Sequence, residues 1–88
     1  MKKQFKEYLE NGGIPTIKSK YTIYDYANAV EKVCVLESND WEEFCENIIP
    51  IIGKYDRGGK ESELGETGHR TWINALKSFQ KFLKNTQK

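Results

Sequence analysis

Three observations predict an all-α fold of four helices for this 88-residue chain. Trp72, Ala75, Leu76, Phe79, Phe82 and Leu83 recur at steps of three and four, which describes one stripe of a helix and no face of a strand. Ile23, Tyr26, Ala27, Val30, Val33 and Cys34 repeat the same offsets, so two helices carry matched apolar stripes. The glycines and prolines fall largely between such segments, at Gly12-Gly13, Pro15 and Gly58-Gly59.

The first helix is expected over Lys2–Leu9, with Phe5, Tyr8 and Leu9 on its apolar side. Asn11-Gly12-Gly13 ends it, because glycine readily takes the left-handed cap conformation. Pro15 keeps the connection extended around Ile14. Ser19 is the expected cap of the second helix, its hydroxyl accepting from the backbone N–H of Tyr21 or Thr22. Tyr21 and Tyr24 lie off the second stripe and are expected to cover the first helix or to stay partly exposed.

Asn39 or Asp40 starts the third helix, and with Asp40 as cap Glu43 completes a capping box. Its expected buried stripe is Trp41, Phe44, Cys45, Ile48, Ile52 and Tyr55. Pro50 removes one hydrogen bond and clashes with the carbonyl of Glu46, so a kink or a break is expected near Asn47–Ile49. Asp56–Gly68, rich in glycine and charge, is expected to be the longest loop and the most mobile. The last helix begins at Thr67 or in the Gly68 region and ends in a frayed Asn85–Lys88 tail.

The length fits one domain with a single small core, over residues 1–88. Aromatics at 12% favour a folded chain, while 31% charged residues and a mean hydropathy of −0.75 give a wet surface. No apolar run reaches the roughly 18–20 residues that span a bilayer, and no signal-peptide pattern follows Met1; a cytoplasmic location without a membrane partner is the expectation. The net charge of +1 conceals a strong asymmetry. Residues 1–20 carry +3, residues 21–66 carry four basic and eleven acidic side chains, and residues 67–88 carry five basic side chains and no acid. Such asymmetry points to a polyanion on one side of the molecule, with a lysine-solvated helix as the plainer alternative.

No catalytic constellation is visible. Cys34 and Cys45 stand eleven apart without a CxxC, and one histidine cannot complete a four-ligand metal site, so both thiols are expected to act as small buried hydrophobes. His69 has no nucleophile beside it and is expected at the surface or in a cap. Gly58-Gly59-Lys60 lacks the remainder of a phosphate loop. Neither an enzyme nor a cofactor or metal is expected.

The basic features remain. Lys18, Ser19, Lys20 and Thr22 surround the start of the second helix, where free N–H groups and the dipole favour a phosphate oxygen. On the last helix Arg70, Asn74, Lys77, Lys81, Lys84 and Lys88 form a cationic side opposite the apolar stripe. Arg70 and Asn74 suit base edges, whereas lysines suit phosphates.

Two stretches carry a family resemblance. Ser19-x-x-Thr22-x-x-x-Tyr26 is similar to the start of the second helix in the N-terminal core-binding domain of tyrosine recombinases (phage integrases). Ala75-Leu76-Lys77-Ser78-Phe79-Gln80-Lys81-Phe82-Leu83 resembles the final helix of that domain. Similar SAM-like extensions precede restriction-type nucleases and ATPases. The resemblance implies a SAM-like four-helix module from a mobile-element or defence protein. Such a module clamps duplex DNA with its second and last helices during DNA recombination. By position, Ser19, Lys20 and Thr22 would meet the backbone, and Arg70, Asn74, Lys77 and Lys81 the groove or phosphates. The catalytic Arg, His-x-x-Arg and nucleophilic tyrosine of a recombinase have no counterpart here, so the chain, a monomer as an isolated domain, would bind DNA for an enzyme without cutting it, the partner being either a downstream catalytic domain or another protein. The alternative is a protein-interaction module that uses the acidic middle and the glycine-rich loop to dock another chain.

Overall fold

Matched apolar stripes require helices that pack lengthwise, and α2 (Lys20–Leu36) and α6 (Thr67–Thr86) make the most extensive contact in the computed structural model, which describes residues 1–86. Around this pair stand α1 (Lys2–Glu10), α3 (Trp41–Glu46), α4 (Ile48–Tyr55) and a single turn, α5 (Ser62–Gly65). The described residues are thus all-helical in six segments, where four helices were expected, and contain no strand. Their Cα radius of gyration, 12.0 Å, matches the value of about 12 Å for a compact chain of this length.

One core joins all the longer helices. Phe5, Phe44, Phe79 and Phe82 meet at its centre, with the Phe79 ring 5.2 Å from Phe5, 5.4 Å from Phe44 and 5.7 Å from Phe82. Val30, Val33 and Leu76 are fully buried beside them, and Tyr26 packs against the cluster half-buried. The stripes are not reproduced residue for residue. Trp72, Trp41, Cys45 and Ile52 are only half-buried, whereas Ile73, Ser78, Ala29 and Ile51 are buried. The reason is position: α6 is flanked by α1, α2, α4 and α5, so the arc it buries is wider than one stripe. Ser78 tolerates this burial because its hydroxyl donates to the carbonyl of Asn74 at 2.9 Å.

The caps follow local chemistry. Ser19 Oγ accepts from Tyr21 N at 3.2 Å, and Asp40 and Glu43 form a reciprocal capping box at the start of α3. After α1, Gly12 takes the left-handed conformation at φ 80°. Only Asn47 (φ −103°, ψ 13°) separates α3 from α4. Pro50 lies in the first turn of α4, where its missing N–H falls among donors that have no intrahelical acceptor anyway.

The segment 56–68 departs most from expectation. It is not the longest loop, since residues 11–19 form a longer non-helical stretch and α5 interrupts residues 56–68. Glu61 N donates to Lys54 O at 2.8 Å, tying the segment to the end of α4. Gly65 is buried so tightly against α4 that a Cβ there would lie 1.9 Å from the carbonyl oxygen of Tyr55.

Past α5 the chain makes a left-handed turn through Gly68, His69 and Arg70 (φ 65°, 58° and 70°), closed by Arg70 N donating to Glu66 O at 2.9 Å. Regular right-handed helix therefore resumes only after Arg70. Non-glycine residues in this region cost roughly 1–2 kcal/mol each, and the ion pairs of Arg70 described below offset part of that cost. α6 continues in helical geometry through Asn85 to Thr86, so the expected frayed tail is not seen there; Lys88 lies outside the described residues.

Candidate nucleic-acid interface

The two expected cationic clusters differ in what surrounds them. At the start of α2, Lys18, Ser19 and Lys20 are all exposed, and Thr22 is half-buried. Ser19 uses its hydroxyl on Tyr21 N, and its carbonyl accepts from Ile23 N at 3.0 Å. The cap is intrinsic to the helix, and the two lysines flank it without a carboxylate partner among the described residues. Tyr21, 84% exposed, and Tyr24, one turn on and also exposed, stand directly beyond them. Aromatic faces this open next to lysines are suited to base or sugar stacking. These tyrosines were expected to cover the first helix or to stay partly exposed, and both are exposed. Their position off the apolar stripe was the available signal.

On α6 the structure splits the expected ridge. Arg70 Nη2 lies 3.3 Å from Asp56 Oδ1 and its Nε lies 3.5 Å from Glu66 Oε2, without hydrogen-bond geometry at Nε. Lys77 Nζ lies 3.1 Å from the other oxygen of Asp56. Asp56 thus bridges both cations. Its carboxyl is held below the usual range by the backbone N–H of Arg57 first and by Lys77 and Arg70 after it. Arg70 and Lys77 therefore serve α4–α6 packing, and neither is the open cation that spacing alone suggested. Asn74 is exposed and sits beside the Tyr26 hydroxyl. Burial raises the pKa of that hydroxyl, and the Asn74 amide partly opposes the shift. Lys81 and Lys84 are exposed and make no ion pair with any described residue. No hydrogen bond or ion pair links the α2 cluster to the α6 cluster among the described residues.

No protein-family model, curated protein or solved structure matches this chain.

Much of the acidic middle is internally committed. Glu37 accepts from Lys54 Nζ and from the Tyr55 hydroxyl, both at 2.9 Å, Glu31 pairs with Lys2 at 3.2 Å, and Glu66 faces Arg57 at 3.8 Å. The Tyr55 hydroxyl, desolvated and donating to Glu37, has its pKa pushed well above the ordinary tyrosine value. Cys34 is buried and Cys45 only half so; neither forms a disulfide, and burial raises both thiol pKa values, the opposite of an activated nucleophile. Cys34 Sγ also donates to Asn39 O at 3.3 Å. His69 is exposed on the left-handed turn. Among the described residues no three His, Cys, Asp or Glu side chains gather as a metal site, and no helix is long and apolar enough to cross a membrane.

Proposed function

We propose that the domain binds duplex DNA without catalysis, holding phosphates with the α2 start and the outer end of α6 in the manner of a SAM-like core-binding module. The observation that carries this reading is the contrast within the cations. Arg70, Lys77, Lys54 and Lys2 are neutralised by acids of the same chain, while Lys18, Lys20, Lys81 and Lys84 are exposed without one among the described residues. Unpaired exposed lysines release counterions on meeting phosphate, and that release supplies most of a non-specific affinity. Tyr21 and Tyr24 add exposed faces that pack on sugar. Arg70 and Lys77 form a reserve that only loss of Asp56 would open.

The test is a titration of the isotopically labelled domain with duplex DNA at low salt. Amides of residues 18–24 and 81–84 should shift, with a Kd near the non-specific range of roughly 10⁻⁴–10⁻⁶ M. Lys81→Glu with Lys84→Glu should weaken binding and lower the log–log salt slope by about 0.9 per lost contact. Asp56→Asn should act oppositely, tightening binding by freeing two cations. Absence of shifts, or shifts confined to Glu42–Glu46, refutes the proposal.

A further inference from the structure

One side of α2 carries a row of residues that continues past the lysines and tyrosines at its start. Lys20, Tyr24, Asn28 and Lys32 succeed one another at steps of four, so they stack along a single face of the helix. At the helical rise of about 1.5 Å per residue, the two lysines stand ~18 Å apart along the axis. Both are exposed, and neither makes an ion pair with a described residue. Tyr24 between them is 60% exposed.

Against this row lies a cleft of about 330 Å³, walled on the far side by the start of α6. Tyr24, Asp25, Asn28 and Lys32 line it from α2, and Thr71 and Trp72 line it from α6. That volume sits at the small end of the roughly 300–1,000 Å³ typical of ligand pockets, room for one ring system and not for an extended chain. The α6 wall is fixed before anything enters, because the Thr71 hydroxyl donates to Gly68 O across the left-handed turn. Tyr24 and Trp72 give the cleft aromatic rings from two different elements.

Polar groups in the cleft lack partners among the described residues. Asn28 is half-buried, yet its carboxamide makes no hydrogen bond with a described residue, and the Trp72 indole N–H and the Asp25 carboxylate make none either. A carboxamide offers a donor and an acceptor side by side, the pattern that matches the N6 and N7 edge of adenine. A carboxylate accepts from an exocyclic amine. Aromatic rings supply stacking surface that suits any base. Bases inside a duplex are stacked and closed to such contacts, so only an unpaired base can enter the cleft.

We propose that this cleft receives one unpaired base of a nucleic-acid strand, stacked on Tyr24 and hydrogen-bonded to Asn28, with Lys20 and Lys32 holding phosphates on either side. The inference rests on the reading that the start of α2 faces nucleic acid, and it narrows the substrate to a strand with an unpaired base.

Three probes test it: a short uniform duplex, the same duplex with one bulged adenine, and dAMP. Each is titrated at low salt into the isotopically labelled chain. The bulged duplex should shift the side-chain amide of Asn28 and the indole N–H of Trp72. It should also bind at least about fivefold more tightly than the uniform duplex, the lower end of what one stacked base contributes. Asn28→Ala deletes the amide without removing any hydrogen bond of the fold, so affinity for the uniform duplex should stay unchanged while the preference for the bulge disappears. Tyr24→Ala should abolish that preference as well, and it carries the test if Asn28→Ala misfolds by circular dichroism. Equal affinity for bulged and uniform duplex, with no shift at Asn28, overturns this inference and leaves the duplex reading standing. Binding of the bulged duplex at Asn28 without any binding of the uniform duplex does the reverse. A preference for the bulge that survives both substitutions overturns the inference, because the base would then be held elsewhere. So does dAMP binding the cleft as tightly as the bulged duplex, since the ligand would then be a free nucleotide and not a strand.

Discussion

The same substitution, glycine to alanine, should move stability in opposite directions at two positions twelve residues apart. Gly53 lies inside α4, exposed, with nothing within 4 Å of the place a Cβ would occupy. Alanine there removes backbone freedom from the unfolded chain and adds no clash, a gain of about 0.5–1 kcal/mol. At 4–8 °C per kcal/mol for a domain of this size, the midpoint should rise by roughly 2–8 °C. Gly65 ends α5 against α4, and its Cβ would stand 1.9 Å from Tyr55 O and 2.9 Å from Tyr55 C. A backbone carbonyl cannot rotate away as a flexible side chain can, so α4 and α5 must separate. Overpacking of this kind costs roughly 1–3 kcal/mol or more, which lowers the midpoint by about 4–24 °C. Thermal and urea unfolding of the two variants against the parent decides the matter. A neutral or stabilising Gly65→Ala would show that α5 does not pack on α4 as described, and would return residues 56–68 to an open loop.

Two further outcomes follow from the core and its margin. Phe79→Ala removes a fully buried ring with four aromatic neighbours and should cost roughly 3–5 kcal/mol. Against a total stability on the order of 4–13 kcal/mol for this length, that loss is roughly a quarter of the stability or more, and an unchanged denaturation midpoint refutes the core assignment. Tyr55, whose folded pKa is raised by burial and by its bond to Glu37, favours folding while neutral. That contribution is complete below the unfolded value of about 10 and is lost as pH rises above it. Tyr55→Phe should therefore show a shallower alkaline fall in stability than the parent, and equal slopes would disprove the linkage.

The sequence by itself determined the class of structure and its local punctuation. Helical spacing over residues 72–83 and 23–34 specified two amphipathic helices, because periodicity is a property of the residues alone. Ser19, and Asp40 with Glu43, capped α2 and α3 as their local chemistry required. What spacing cannot contain is which side chains meet across helices. Arg70 and Lys77 read as open cations until Asp56, distant in the chain, was placed between them. Trp72 read as core, but it is half-buried at the edge of a groove, and Ile73 is fully buried instead. The left-handed conformations at Ser38, His69 and Arg70 carry no glycine to announce them. At Arg70 the ion pairs to Asp56 and Glu66 offset part of a local penalty of roughly 1–2 kcal/mol, and at Ser38 the N–H donates locally to Val35 O. Local chemistry determined the two long amphipathic helices and the caps at Ser19 and Asp40; only the tertiary structure decided which charges are neutralised and which apolar surface remains uncovered, because both depend on residues far apart in the chain.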